Sequence, residues 1–202
     1  MAASIGEFPV KSIKRLSIFA GLALALSASS AFALDPAYAG ARTGLGQDSP
    51  KEAAQLGNLK LTDPLVQQKY LAEPDMMRFL RGTYSEACAR GLVNQATKQV
   101  KLDPKGEYPQ KSREAAGILL ESNRIWKMSS YEMEALFGSG YLNAANYCDC
   151  IMKEVSDSDL VNPRKGLDAV EKISKPAQKA CESLSKEQTD RQVTERKKAG
   201  LH

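Results

Sequence analysis

The sequence predicts an all-α fold: a small disulfide-bonded bundle of about four to five helices, preceded by a cleaved signal peptide and a poorly ordered N-terminal segment. Three observations predict it. From Met76 onward apolar residues recur at spacings of three and four, the helical period. No stretch of useful length alternates apolar and polar residues as a half-buried strand does, and no internal repeat is visible. Four cysteines, Cys88, Cys148, Cys150 and Cys181, fall within the helical region, an even set that in an exported chain reads as two bridges.

The front of the chain reads as an address. Lys11, Lys14 and Arg15 precede an apolar run from Leu16 to Ala33. Its strongly apolar part, Leu16 to Leu26, has signal-peptide length and falls short of the ~20 residues of a membrane span. Ala31-Phe32-Ala33 is a small-x-small cleavage signal and places the cut before Leu34; Ala37-Tyr38-Ala39 is a second candidate, before Gly40. No cysteine follows closely for a lipid anchor, and no Arg pair marks the twin-arginine route. The expected location is the periplasm or the exterior, with no integral membrane segment after cleavage.

Removing residues 1–33 leaves 169 of the 202 residues, one domain with enough chain for a real core. The leader carries three of the 28 basic residues and one of the 24 acidic ones, so 25 and 23 remain, a net charge of +2. No large field of one sign remains to favour nucleic acid or an anionic membrane.

Residues 34–74 hold Gly40, Gly44, Gly46 and Gly57 with Pro36, Pro50, Pro64 and Pro74, which interrupt any long helix. Short helices at Pro50–Leu56 and Pro64–Leu71 fit between them, and the segment reads as a flexible or partly wrapped tether. The helical domain is expected over 75–187. Its first helix, over 75–99, carries Met76, Leu80, Tyr84, Ala87, Cys88, Gly91 and Leu92 on one stripe. Leu102 to Pro109 reads as a loop, and a second helix over 111–126 has Ala115, Ile118, Leu119 and Trp126 as its apolar positions. The third has the clearest start, because Ser129 and Glu132 have capping-box spacing. Met133, Phe137, Gly140, Tyr141, Ala144, Cys148, Ile151 and Val155 then continue one stripe, which "SDSDLVN" ends. Asn162-Pro163 opens a fourth helix and Ser174 a fifth, the latter with Ala177, Ala180, Cys181 and Leu184 inward. Residues 188–202 read as a charged, solvated tail.

The C-x-C of "ANYCDCIM" sets the disulfide geometry. Residues i and i+2 on a helix point about 200° apart, so Cys148–Cys150 would require a broken helix. The same divergence lets one helix send anchors to two sides. Cys148 shares its stripe with Ala144 and Ile151, whereas Cys150 lies off it with Asn143 and Asn146. The expected pairing is therefore Cys88–Cys148 and Cys150–Cys181, with the swapped pairing, Cys88–Cys150 and Cys148–Cys181, left open.

Chemical alternatives have less behind them. A redox C-x-x-C sits at a helix N-terminus, where the dipole lowers a thiol pKa; this C-x-C is late in its helix. Zinc would need all four cysteines, since His202 is the only histidine. Copper(I) could recruit Met76, Met77, Met128, Met133 or Met152, but these fall at core spacing. No histidine is available internally for a Ser-His or Cys-His pair, and no nucleophile elbow, Walker loop or zincin motif occurs. Glu132 and Glu134 read as helix-start acids and Asp149 as a solvated residue. Tyr131 and Tyr147 are the candidate interface residues, partly exposed aromatics on the third helix. The expectation is a non-enzymatic module that needs no cofactor or metal and binds another exported protein, as an inhibitor, immunity factor or secretion accessory; the alternative is a thiol-redox or Cu/Zn-binding protein.

Overall fold

The computed structural model describes residues 64–199. The leader, both cut sites, the helix at Pro50–Leu56, most of the tether and residues 200–202 lie outside the described residues. The described chain is helical throughout, with no strand: α1 (Pro64–Ala72), α2 (Pro74–Leu102), α3 (Gln110–Glu121), a 3-10 turn (Arg124–Trp126), α4 (Ser130–Phe137), α5 (Ser139–Lys153), α6 (Asp157–Leu160), α7 (Pro163–Glu171) and α8 (Lys175–Lys198). These are more than the four to five helices expected, because α1 packs on α2, the third helix divides into α4 and α5, and "SDSDLVN" forms the short α6.

Start signals explain most boundaries. Pro74 opens α2, where its missing N–H is no loss. At α4 the Ser129 hydroxyl accepts from Glu132 N at 3.1 Å, and the Glu132 carboxylate accepts from Ser129 N at 2.6 Å. Ser156, Asn162 and Ser174 likewise cap α6, α7 and α8. At the far end of α2, Asp103 takes a left-handed conformation (φ 37°), and its buried carboxylate accepts from the backbone N–H of Glu107 and Tyr108 at 2.7 and 3.2 Å. That side chain organises the loop the sequence placed there.

The capping box has an acid-side consequence. The Glu132 carboxyl is held below its ordinary value of 4.5, chiefly by the backbone N–H of Ser129 and then by its hydroxyl. A carboxyl depressed by folding stabilises fully above its unfolded pKa, and the contribution fades as pH falls through the lowered folded value. In an NMR titration the Glu132 midpoint should fall below the ordinary value of 4.5. Its midpoint should rise towards the ordinary value in Ser129→Ala.

The break between α4 and α5 was not expected. Gly138 adopts φ 53°, ψ −132°, a conformation L side chains avoid, and it serves as the C-cap of α4 and N-cap of α5. A Cβ there would meet nothing within 4 Å, so the requirement is conformational rather than steric. Gly138→Ala should cost about 1–3 kcal/mol in a denaturant melt.

Helix α5 is the centre of the molecule. It packs antiparallel against α2 on one side and against α8 on the other, with α4 at its start, while α3 and the 3-10 turn lie along α2. The core contains Leu80, Cys88, Leu92, Met133, Phe137, Tyr141, Ala144, Cys148, Ile151 and Met152. Met77, Met128, Met133 and Met152 are buried there as packing residues. Arg81 ties off the far end of α5: its guanidinium donates to the carbonyls of Met152 and Val155 and pairs with Asp157 at the start of α6. A cation at a helix C-terminus and an anion at a helix N-terminus both complement the local dipole.

Three assignments of inward residues change. Ile118 and Leu184 are exposed, and so is Ala180. On α3 the buried residues are Ala116, Gly117 and Leu119. On α8 the buried line is Cys181, Ser185 and Thr189, spaced by four, and Leu184 stands one residue off it. Thr189 carries this line past Glu187, so α8 remains docked into the region read as a solvated tail.

Candidate functional site

Both bridges take the expected pairing. Cys88–Cys148 joins α2 to α5 with a Cα–Cα distance of 5.9 Å, and Cys150–Cys181 joins α5 to α8 at 5.5 Å. The C-x-C therefore works through its angular divergence: α5 runs unbroken through both cysteines, and each reaches a different neighbour. Among the described residues no cysteine is free. With the thiols spent in bridges, no group of three or more Cys, His, Asp or Glu side chains among the described residues is placed to hold a metal ion.

Around the bridges lie polar contacts absent from the sequence reading. Tyr141 donates from its hydroxyl to both carboxylate oxygens of Glu86, at 2.7 and 2.8 Å. Glu86 pairs with Arg90 one turn on at 3.0 Å, and Arg90 also donates to the Ile125 carbonyl at 2.7 Å. The side chains of Arg90 and Glu86 are only 7% and 16% exposed, so this is an internal ion pair linking α2, α5 and the 3-10 turn. The sequence signal was an acid–base pair at i, i+4, which is far more often a surface pair. The clue to its burial is position: Glu86 and Arg90 interleave with the buried Ala89, Gly91 and Leu92.

Asp149, read as solvated, accepts a hydrogen bond from Ser85 of α2. Glu134 pairs with Arg196 near the end of α8. Asn146 faces α8, where its amide donates to Thr189 Oγ1 at 3.0 Å and Gln192 Oε1 at 3.1 Å.

The two candidate interface tyrosines separate. Tyr131 is 82% exposed at the start of α4. Tyr147 is 5% exposed and belongs to the core cluster, so it is no surface anchor. Burial, and then the negative charge of Glu182 on α8, pushes the Tyr147 hydroxyl up to about 12. Leu102 and Ile118 join Tyr131 among the large apolar side chains open to solvent. No described helix is long and apolar enough to cross a membrane. Compared with protein-family models, with curated proteins and with solved structures, the chain finds no match in any of the three.

Proposed function

We propose that this chain is an exported helical module that binds another exported protein, of the inhibitor, immunity-factor or secretion-accessory type, and acts by surface recognition rather than by chemistry. The observation that carries the reading is Tyr131: a large aromatic side chain almost fully open to solvent on a capped helix that packs on the doubly bridged α5. Aromatic anchors dominate binding energy at interfaces, and a surface fixed in advance loses little freedom on association. The paired cysteines and the leader fit an oxidising, exported setting.

The alternative, thiol-redox or Cu/Zn chemistry, requires cysteines that are bonded here. A thiol assay on exported protein separates the two readings. We expect no reactive thiol with or without denaturant, and four after full reduction; two or more thiols in the untreated protein would support the alternative. Direct support requires a partner retained in equimolar amount from an extract of exported proteins, with affinity falling at least about tenfold in Tyr131→Ala. A partner that binds Tyr131→Ala as tightly as the wild type would remove the surface assigned here.

A further inference from the structure

The two bridges are not equivalent. Cys88 and Cys148 are both buried in the core between α2 and α5. In the second bridge Cys181 is buried, but Cys150 is only partly so. The helix held by this second bridge is also unusual. Over its 24 residues α8 buries only Cys181, Ser185 and Thr189, and Cys181 is its one member of the hydrophobic core cluster. The hydroxyls of Ser185 and Thr189 bond within α8, to the carbonyls of Glu182 and Ser185 at 3.0 and 2.8 Å. They remain satisfied if α8 leaves. Among the described residues, Asn146 supplies side-chain hydrogen bonds that cross from α5 to α8, and the Arg196–Glu134 pair, which ties α8 to α4, is partly exposed, at 44% and 24%. Partly exposed pairs are screened by solvent and hold elements less firmly than core packing. Ala177 and Val193 are only half-buried, so Cys181, through its bridge, is the one residue that anchors α8 in the buried core.

We infer that Cys150–Cys181 is an exchangeable latch, opened by a dithiol reductant, and that its opening releases α8 while the Cys88–Cys148 core stays closed. A donor thiolate attacks Sγ of Cys150, the less buried residue of the pair, and the S–S bond breaks with Cys181 leaving as thiolate and taking up a proton. The donor's second thiol then attacks the donor sulfur of the mixed disulfide and frees Cys150 as a thiol. The donor ends as a disulfide, and its two electrons and two protons end on Cys150 and Cys181. Exchange needs access to a sulfur, so the half-buried bridge opens ahead of the fully buried one. Release uncovers the face of α5 that carries Asn146 and Tyr147. This inference rests on the fold and not on the binding role of Tyr131.

The test titrates the full chain with a limiting amount of dithiothreitol, traps free thiols by alkylation and maps them by mass spectrometry. Cys150 and Cys181 should be labelled at least about tenfold faster than Cys88 and Cys148. Hydrogen exchange on the half-reduced protein should show protection lost over 181–198 and kept in α2 and α5. The Tyr147 hydroxyl should then titrate nearer the ordinary tyrosine value of 10.0. The variant Cys150→Ser/Cys181→Ser should reproduce the released state without reductant. Simultaneous opening of both bridges, earlier opening of Cys88–Cys148, or full protection of α8 after selective opening would each overturn the latch. So would a double variant that fails to fold, since the core is inferred to stand without α8.

Discussion

Cys88→Ala/Cys148→Ala should lower stability by about 4 kcal/mol and the melting midpoint by more than about 10 °C. The two residues are 60 apart in sequence, so the bridge removes much loop-closure freedom from the unfolded chain. The chain-entropy relation gives about 4.3 kcal/mol for this loop, and about 3.7 for the 31-residue separation of Cys150 and Cys181. The two losses should nevertheless look different. Cys88 and Cys148 sit in the core, where their removal also leaves unfilled volume between α2 and α5. Loss of Cys150–Cys181 frees a helix that contributes little to that core. A calorimetric trace for Cys88→Ala/Cys148→Ala that overlays the wild type in oxidising buffer would show that the bridge is not structural.

Arg90→Met should cost about 3–5 kcal/mol, because it leaves Glu86 charged and largely buried with its main partner gone. The Ile125 carbonyl loses its 2.7 Å donor in the same change, which loosens the 3-10 turn against α2. Tyr141→Phe should be milder, about 1.5–3 kcal/mol, since the hydroxyl donates to a charged acceptor but Arg90 remains. Replacing both ions, Glu86→Gln with Arg90→Met, should recover much of the Arg90→Met loss, as removing a whole buried pair costs less than halving it. A double-mutant cycle in urea reads the coupling directly. Additive single losses would mean that the two side chains do not act as a pair.

Much of the fold was legible where local chemistry decides it. Ser129 with Glu132, Asn162 before Pro163, and Ser174 each marked a helix start that the structure has. The angular divergence of Cys148 and Cys150 was enough to favour the bridge pairing. The division at Gly138 stayed hidden because Phe137, Gly140 and Tyr141 keep the stripe in phase across the break, so periodicity alone runs straight through it. Tyr147 was misread for another reason. A one-stripe reading suits a helix with one neighbour, whereas α5 lies between α2 and α8 and is buried on both faces. Leu184 failed through hydrophobicity itself: α8 docks through Cys181, Ser185 and Thr189, small side chains that allow close approach, and its leucine is left outside. The Glu86–Arg90 pair was overlooked because an i, i+4 acid–base pair is far more often a surface pair, and its only clue was its place among the apolar Ala89, Gly91 and Leu92.

The claim on which the rest depends is that one unbroken helix, α5, is clamped on two sides by the two cysteines of the C-x-C, which diverge within a single turn. Peptide mapping under non-reducing conditions tests it most directly. Trypsin has no site between Cys148 and Cys150, so a protease that cuts at Asp149, or partial reduction with stepwise alkylation, must resolve the two. The account predicts one linked pair containing Cys88 with Cys148 and a second containing Cys150 with Cys181. A Cys148–Cys150 link would contradict it, since that bond cannot form while α5 stays helical through both residues.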